Sequence, residues 1–327
     1  MRKLKFISCA VAVVILLFQG IASGQATRVA SLGLSAGLLP LWVAQDKRFF
    51  EREGLKTELI TFQGGAPAIQ ALLAGEVKFG ATGASSGVNA RLNGAEIMAI
   101  GEYIRTLPFV LVVNKEVDTA QKLRRKKIAI SRFGTLSYYA ARLTVEKLGL
   151  DPDKDVQLIQ IGNESLRFAA LRQGSVDATA FTPPYDLAAR KLGFRIMVSL
   201  HEAGVQYAFN HLVVTRSYAA KNKQDVSAFL RGFLRGIAFM KLNRKESVEV
   251  LKKWTRLEDQ EALEEAYKFY SSIIPEKPYG SEESWRNLVE SIAGTNPQAA
   301  RMKSTDLIDY SYLREIDASG FIDSLYR

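Results

Sequence analysis

The sequence contains few of the side chains on which enzymes and metal proteins rely. Its one cysteine is Cys9, close to the N-terminus, and its two histidines are His201 and His211. The histidines are too few and too widely separated for a convincing metal site, and neither begins an HxxE or HxxxH spacing. Removal of the segment that holds Cys9 would leave no disulfide, thiol nucleophile or cysteine metal site. No metal and no cofactor are therefore predicted.

Several function classes are disfavoured by motifs that the sequence lacks. It has no P-loop, helix-turn-helix, zinc finger or strip of alternating aromatic and basic residues. The formal net charge of +10 comes from scattered residues, and Leu123–Lys127 is the only dense basic run. Such a charge is compatible with a solvated basic surface or with a preference for an anionic ligand or membrane surface. Nucleic acid is not predicted as a partner.

The N-terminal residues have the pattern of an export signal. A basic start precedes the apolar run Phe6–Phe18, which is shorter than the roughly 20 residues of a membrane span. Gly24 and Ala26 stand at the −3 and −1 spacing of a signal-peptidase site. Residues 1–26 are therefore predicted to be a cleaved signal peptide, which would place the mature protein in the periplasm. The alternative is an uncleaved membrane anchor.

Strands and helices alternate along most of the chain. The predicted strands are Arg28–Leu34, Lys56–Thr61, Val77–Ala81, Glu96–Tyr103, Lys127–Ser131, Val156–Ile161, Asp177–Phe181, Phe194–Ser199 and Leu212–Thr215. The predicted helices include Pro40–Arg52, Ser85–Leu92, Leu136–Leu148, Glu164–Arg172 and, near the C-terminus, Val226–Leu242, Glu246–Trp254, Asp259–Ser271 and Ser281–Ile292. This order predicts an α/β fold with mostly parallel sheets.

A weak internal repeat indicates two similar lobes. The pattern ALxxGxV at Ala71–Val77 recurs at Ala170–Val176, and each copy combines a helix end, a glycine and a strand start. The alternative is that any α/β unit has this pattern. We predict lobe 1 at residues 27–110 and 212–327 and lobe 2 at residues 111–211, with strand ends that face each other across a cleft.

Turns after three strands of lobe 1 are candidate ligand contacts. Glycine lets backbone N–H groups approach a ligand closely, and helix N-termini favour anionic groups. Ordinary turn chemistry is the alternative explanation. The candidates are Ser35, Gly37, Leu38, Gln63, Gly64, Gly65, Thr82, Ala84 and Ser85.

Lobe 2 and the predicted joint between the lobes supply the other candidates. An arginine after a strand can hold an anion through two hydrogen bonds or can lie on the surface. Aromatic residues in these turns can stack on a ligand or fill a gap between the lobes. Arg105 and Asn210 lie near the predicted joint, where either can contact the ligand. Arg105 can instead bridge the lobes. The candidates are Arg105, Arg132, Phe133, Gly134, Thr135, Ser137, Thr182, Pro183, Tyr185 and Asn210.

Three segments carry a resemblance to a known family. They are Pro40–Ile60, Gly64–Gly83 and Lys126–Tyr185, and the likeness extends over about residues 28–255. They resemble the substrate-binding proteins of ABC importers, most closely the nitrate/sulfonate/taurine and thiamine-precursor (NMT1/THI5-like) group. The resemblance implies a type II periplasmic-binding fold, with two Rossmann-like lobes that are joined by a two-strand hinge and close around a ligand. Lys78 departs from it, because the family often has aspartate there.

The resemblance implies a receptor rather than an enzyme. We expect a monomer that captures a small polar or anionic organic ligand, such as a sulfonate, a carboxylate or a pyrimidine-like molecule, and delivers it to an ABC permease. One alternative is a sensor or scavenger of the same fold that signals to a membrane receptor. Another is an enzyme similar to the pyrimidine synthase of thiamine biosynthesis, which would need reactive histidine and cysteine.

Overall fold

The computed structural model describes residues 26–33, 35–204 and 206–327. Apart from Ala26, the predicted signal peptide lies outside the described residues. Within the described part of the chain, no helix has both the length and the apolar character that crossing a bilayer requires.

Ten strands occur in the described residues and form two sheets of five. The strands are β1 (Thr27–Leu32), β2 (Thr57–Phe62), β3 (Phe79–Gly83), β4 (Ile97–Thr106), β5 (Val110–Val113), β6 (Lys127–Ile130), β7 (Gln157–Gln160), β8 (Ala178–Phe181), β9 (Arg195–Ser199) and β10 (Gln206–Thr215). The first sheet has the order β2-β1-β3-β10-β4, and the second has the order β7-β6-β8-β5-β9.

The two sheets share one pairing pattern. In the first sheet β1 runs parallel to β2 and β3, whereas β10 runs antiparallel to β3 and β4. In the second sheet β6 runs parallel to β7 and β8, whereas β5 runs antiparallel to β8 and β9. The antiparallel strand of each sheet is the one that follows a crossing from the other sheet. Four strands of each sheet therefore run in one direction, so the predicted mostly parallel arrangement is confirmed.

Fifteen α-helices occur in the described residues. They are α1 (Leu39–Asp46), α2 (Phe49–Arg52), α3 (Gly65–Leu73), α4 (Ala84–Leu92), α5 (Ala120–Leu123), α6 (Leu136–Lys147), α7 (Glu164–Arg172), α8 (Tyr185–Lys191), α9 (Arg216–Lys221), α10 (Lys223–Leu242), α11 (Arg244–Thr255), α12 (Gln260–Ile273), α13 (Glu282–Ala293), α14 (Ser311–Ala318) and α15 (Phe321–Ser324).

One predicted helix is divided in two. The sequence predicts a single helix over Pro40–Arg52, but the chain leaves the helical conformation at Arg48, whose φ is 57°. This left-handed residue allows both halves to bury their apolar sides, since Trp42 and Phe50 are buried. Trp42 stacks on Trp254 at a centroid distance of 5.5 Å, so it lies in the core.

The hydrophobic core follows the alternation of the strands. Along β5, Val110 and Val112 belong to one cluster and Leu111 and Val113 to another, because successive side chains point to opposite faces of a sheet. The second sheet is therefore packed on both faces. A larger cluster joins the first sheet to the C-terminal helices, where Phe79 stacks on Phe229 at 4.3 Å. Two packed sheets then present their strand ends to each other.

Candidate ligand-binding site

A small cavity lies where the carboxyl ends of the parallel strands of both sheets meet. Its volume is about 90 Å³. Strand ends of open α/β sheets are the usual place for ligands. The lining residues are Leu32, Gly33, Ser35, Leu38, Gly64, Gly65, Gly83, Ser86, Phe109, Ser131, Thr135, Leu136, Ser137, Asn163, Glu164, Arg167, Thr182, Phe209 and Asn210.

The structure brings eight of the predicted site residues to this cavity. They come from both predicted lobes and represent four of the turns that follow strands, together with β10 itself. These residues are Ser35, Leu38, Gly64, Gly65, Thr135, Ser137, Thr182 and Asn210.

Other predicted residues surround the cavity without lining it. Thr82, Ala84 and Ser85 are buried beside Gly83, and Gly37 is buried where an added Cβ would stand 3.0 Å from Ile104 Cδ1. Two further predicted residues form hydrogen bonds between the two predicted lobes. Gln63 Oε1 accepts a hydrogen bond from the Asn163 N–H at 3.2 Å, and the Gly134 carbonyl accepts one from Asn89 Nδ2 at 2.9 Å.

The remaining predicted residues lie elsewhere. Arg132 is exposed, and Phe133 is 55% exposed with its ring against Tyr138 at 5.5 Å. Arg105 is partly exposed and lies near Tyr310, away from the lining residues. Pro183 lines a separate outer groove. Tyr185 is buried, with its ring packed on Phe168 and Phe181.

The first-sheet side of the cavity, here called the first wall, is built from backbone and small residues. Helices α3 and α4 begin there, and their N-caps are Gly64 and Gly83. Because glycine has no side chain, it cannot cap the first-turn N–H groups, which remain available to an anion. An added Cβ on Gly65 would stand 2.3 Å from Ser86 Oγ, so only glycine allows α3 and α4 to approach this closely.

The second-sheet side, here called the second wall, begins with a cluster of three hydroxyl groups. The Ser131 and Thr135 hydroxyls are 2.7 Å apart, and Ser137 Oγ donates to Ser131 Oγ at 2.9 Å. Thr135 is the N-cap of α6, but its hydroxyl donates to the Arg132 carbonyl at 2.6 Å instead of capping the helix. The N-terminus of α6 is therefore a third helix start at the cavity that no side chain caps.

A buried charged pair completes the second wall. Arg167 is 3% exposed and Glu164 is 6% exposed, and both lie on α7. Arg167 Nη1 donates to Thr179 Oγ1 at 3.0 Å and to the Ala180 carbonyl at 2.5 Å. Glu164 Oε1 accepts hydrogen bonds from the N–H and the hydroxyl of Thr182, each at 2.9 Å. Strand β8 and its end thus hold both charged groups in place.

Burial disfavours the charged forms of both residues. It raises the pKa of the Glu164 carboxyl, and the charge of Arg167 opposes this shift. Burial likewise lowers the pKa of the Arg167 guanidinium, and Glu164 opposes that shift. The shortest distance between charged atoms of the pair is 3.9 Å, from Arg167 Nη2 to Glu164 Oε1. The pair is thus close enough to attract but too far apart to form a direct hydrogen bond.

Four polar atoms of the lining are buried without a hydrogen-bond partner among the described residues. Buried polar groups in proteins are nearly always paired, so these atoms are candidates for contact with a ligand or a water molecule. They are Ser86 Oγ, Glu164 Oε2, Arg167 Nε and Asn210 Oδ1.

Sequence reasoning missed Glu164, Arg167 and Ser86, although one signal was present for Glu164. The repeat that aligns Ala71 with Ala170 also aligns Gly65, a predicted site residue, with Glu164. In addition, the buried residues of α7 are Glu164, Arg167 and Leu171, a helical stripe that contains two charges. A charged pair on the buried side of a helix is unusual and indicates a special environment.

A serine motif in the first wall was also overlooked. Residues Gly83–Gly87 read GASSG and match the GxSxG spacing of hydrolase nucleophiles at a strand-to-helix turn. The Ser85 hydroxyl has no hydrogen-bond partner within the described ranges. Both histidines, which could act as bases, are hydrogen-bonded elsewhere: His201 to Ser199 and His211 to Glu102. No base therefore activates Ser85 in this arrangement.

Comparisons with known proteins agree with this architecture. The family model described as NMT1/THI5 like matches residues 36–247. A Bacillus subtilis (strain 168) protein named as an aliphatic sulfonates-binding protein is 26% identical over 227 residues, which are 67% of each chain.

Two solved structures show the fold. One is a protein from Bordetella bronchiseptica RB50, with a TM-score of 0.80 and 20% identity over 90% of this chain and 97% of that chain. The other is the alkanesulfonate-binding protein SsuA from Xanthomonas axonopodis pv. citri bound to MOPS, with a TM-score of 0.69 and 19% identity over 85% of this chain and 95% of that chain. These likenesses confirm the predicted periplasmic-binding fold class.

Proposed function

The chain belongs to the NMT1/THI5-like family, and from this membership and the character of the cavity we propose that it is a solute-binding protein of ABC-type import. It captures a small organic anion outside the cytoplasm and delivers it to a permease in the membrane. The protein binds its ligand without transforming it, as the names of its relatives indicate for those proteins.

The observation that carries the proposal is the concentration of positive potential at the cavity. Three helix N-termini that lack a side-chain cap, those of α3, α4 and α6, begin at lining residues. Each carries partial positive charge from its unpaired N–H groups. Arg167 adds a full charge from the second wall, and among the described lining residues it is the one basic side chain. A sulfonate or carboxylate has the charge and the acceptor oxygens for this environment.

The two walls explain how the ligand is held. The first wall supplies backbone N–H groups and Ser86, whereas the second supplies Arg167 and the hydroxyl cluster, so a bound anion contacts both sheets. We propose that the predicted lobes, residues 27–110 with 212–327 and residues 111–211, close on the ligand by a hinge motion. The hydrogen bonds Gln63–Asn163 and Asn89–Gly134 then belong to the closed state.

A thermal-shift screen of residues 27–327 tests the proposal. The panel contains small sulfonates, carboxylates, pyrimidines, neutral sugars and organic cations, and isothermal titration calorimetry follows each hit. A ligand at 100 times its Kd adds about 2.7 kcal/mol of stability, which is a readily measured rise in Tm. We expect sulfonates or carboxylates to give this rise. A rise with sugars or cations alone would contradict the anion proposal.

A further inference from the structure

We propose that the outer groove between β9, α8 and α12 is a second binding site, and that it takes a short peptide with free termini. The peptide adds to the edge of the second sheet as an antiparallel strand. Its terminal ammonium and carboxylate groups are held at opposite ends of the groove. This inference does not depend on which ligand the small cavity binds.

The outer groove is large enough for such a ligand. Its volume is about 910 Å³, against about 90 Å³ for the cavity. Volumes of several hundred Å³ are typical of ligand sites. One side of α8 and one side of α12 form the walls, and α12 presents the small side chains of Ala262 and Ala266. These small residues leave space between the helix and β9.

The groove follows the free edge of β9. This strand stands last in its sheet, where it pairs with β5, and no other described strand pairs with it. Ile196 packs with the hydrophobic cluster on one face of the sheet, whereas Met197 packs with the cluster on the other face. All five residues of β9 nevertheless line the groove. Because side chains from both faces reach it, the groove runs along the backbone edge.

A free strand edge is suited to an extended peptide. It presents a row of backbone N–H and C=O groups on which another strand can be added. Recognition by strand addition takes its affinity from such main-chain hydrogen bonds. Five residues of an antiparallel strand span roughly 17 Å, so a peptide of about this length matches β9.

The groove is basic where β9 begins. Arg195 is the first residue of the strand, and Arg190 lies in the last turn of α8. The two segments are adjacent, because the Phe194 N–H donates to the Ala189 carbonyl at 3.2 Å. Both arginines are exposed and line the groove. A guanidinium group at this end can hold a carboxylate through charge-assisted hydrogen bonds.

The groove is acidic where β9 ends. Glu202 follows the strand closely in sequence, and Asp186 lies in the first turn of α8. Burial raises the pKa of the Asp186 carboxyl, and the charge of His201 beside it opposes this shift. Asp186 Oδ1 is buried and has no hydrogen-bond partner among the described residues. An ammonium group, which has three donors and no acceptor, complements such an oxygen.

These charges select a direction and a kind of peptide. In an antiparallel addition the N-terminus of the peptide lies beside Asp186 and Glu202, and its C-terminus lies beside Arg190 and Arg195. Each terminal charge then faces the opposite charge, whereas a parallel addition would bring like charges together. An internal segment of a protein carries neither terminal charge. The groove therefore favours a free peptide.

The competing explanation is that the charges only protect the edge. Charged side chains on edge strands prevent unwanted pairing with other chains. In that case no peptide binds, and the opposite charges at the two ends have no consequence. The two explanations therefore differ in a measurable affinity.

The first experiment compares peptides that differ only at their ends. Isothermal titration calorimetry of residues 27–327 at pH 7.0 uses the pentapeptide Thr-Val-Thr-Val-Thr with free termini, its C-amidated form, its N-acetylated form and the form blocked at both ends. We expect a Kd below about 100 µM for the free peptide. The doubly blocked form should bind at least tenfold more weakly, because it loses both charge-assisted contacts.

The second experiment tests strand addition itself. In an added strand only alternate N–H groups point to the edge that it joins. One N-methylated peptide therefore carries methyl groups on its second and fourth residues, and another carries them on its third and fifth. We expect one pattern to lose at least tenfold in affinity and the other to stay within about threefold of the free peptide. Similar affinities for both patterns would contradict pairing with β9.

The third experiment assigns the charges. Arg195→Gln should weaken binding of the free peptide about tenfold and leave that of the C-amidated peptide within about twofold, because that form lacks the carboxylate. Glu202→Gln should do the same for the free and N-acetylated peptides. All three positions to be changed are exposed, and Arg286→Gln, on α13 away from the groove, is the control that should alter no affinity.

The outcomes separate this inference from the proposed function. Absence of binding by the free peptide at about 1 mM, or equal binding of the free and doubly blocked forms, overturns the free-peptide site and leaves the anion proposal intact. Peptide binding that Arg167→Met abolishes and Arg195→Gln does not affect places the peptide in the small cavity, which also overturns it. Selective binding of the free peptide by the unchanged protein, lost in Arg195→Gln, supports the site even if no sulfonate or carboxylate binds.

Discussion

The two walls of the cavity occupy equivalent places in similar sheets but use different chemistry. The first wall presents the glycines Gly64, Gly65 and Gly83, two helix starts without side-chain caps and the unpartnered hydroxyl of Ser86. The second wall presents the Glu164–Arg167 pair and a hydroxyl cluster whose members bond to one another. One wall therefore supplies backbone polarity and shape, and the other supplies formal charge.

The repeat shows how this difference arose within one architecture. Gly65 and Glu164 are equivalent positions, and each opens the helix that follows the second strand of its β-α unit. In the first wall the position must be small because Ser86 lies against it. In the second wall it carries a carboxyl that β8 holds by two hydrogen bonds. The same topology thus provides close approach on one side and charge on the other.

The largest expected effect comes from removal of the charge of the second wall. Arg167→Met keeps much of the side-chain volume and removes the guanidinium, so we expect affinity for the anionic ligand to fall at least 100-fold, about 2.8 kcal/mol at 1.4 kcal/mol per tenfold change. Isothermal titration calorimetry measures the loss. Arg132→Ala, on the exposed loop outside the cavity, should stay within about twofold of the unchanged protein.

A double variant separates this binding effect from stability. Arg167→Met leaves Glu164 buried without its cation, which costs about 3–5 kcal/mol when a buried pair is broken. Adding Glu164→Gln should recover much of that loss in urea denaturation without restoring affinity. A double variant that binds the ligand normally would show that the charge of the second wall is dispensable.

The next largest effect comes from the shape of the first wall. In Gly65→Ala the new Cβ would stand 2.3 Å from Ser86 Oγ and 3.0 Å from Ser86 Cβ, so the side chain or the helix must move. We expect a loss of about 1–3 kcal/mol in the free energy of unfolding and roughly tenfold weaker ligand binding.

The matched control is Gly294→Ala, at the end of α13. There the added Cβ meets only the Ser291 carbonyl oxygen, at 3.7 Å. The control should leave both the Tm and the affinity unchanged. If Gly65→Ala behaved like Gly294→Ala, the close approach in the first wall would have no role in stability or binding.

Much of the fold could be predicted from the sequence because local signals determine it. Apolar alternation and glycine stops located the strands, and the predicted helix Glu164–Arg172 has those bounds in the structure. The division of the predicted helix Pro40–Arg52 at Arg48 could not be predicted, because packing of Trp42 and Phe50 against distant helices decides it. Likewise, β10 begins at Gln206, six residues before the predicted Leu212, since its pairing with β4 is a long-range contact.

The site could be predicted from the sequence only where backbone shape identifies it. Glycine turns and helix starts pointed to Gly64, Gly65 and Thr135, which line the cavity. The charged residues of the cavity could not be predicted without knowing which arginine is buried. Arg132 follows β6 and Arg167 lies on α7, but only Arg167 has Thr179 and the Ala180 carbonyl from β8 as buried partners. Those partners are distant in sequence, so local pattern could not distinguish the two arginines.

The pH dependence of stability sharpens the comparison, because only the second wall contains a titrating carboxyl. The pKa of Glu164 is raised in the folded protein by burial. The folded state therefore holds its proton to higher pH than the unfolded chain, whose glutamate pKa is about 4.3. Stability is then lost as pH rises from about 4.3 through the folded-state pKa, by about 1.4 kcal/mol for each unit of difference.

Urea denaturation of the unliganded protein and of Glu164→Gln between pH 4 and pH 8 measures this contribution. We expect the stability of the variant to fall less with pH across this window. Burial raises the pKa of Asp186 as well, but Asp186 is present in both proteins, so the difference between the curves reports Glu164. Parallel curves would mean that Glu164 titrates as it does in the unfolded chain.

The smallest expected effects on stability and affinity distinguish a hydroxyl that lacks a partner among the described residues from one that is already hydrogen-bonded. Ser86→Ala removes a buried hydroxyl without a partner among the described residues, so the unliganded protein should keep its stability within about 0.5 kcal/mol. Its ligand affinity should fall by about three- to tenfold, because one hydrogen bond to the ligand is lost. Ser131→Ala instead breaks contacts with Thr135 and Ser137 and should cost about 1 kcal/mol of stability. Urea denaturation and calorimetry on the two variants give both quantities, and the same pattern in both serines would remove the distinction between the walls.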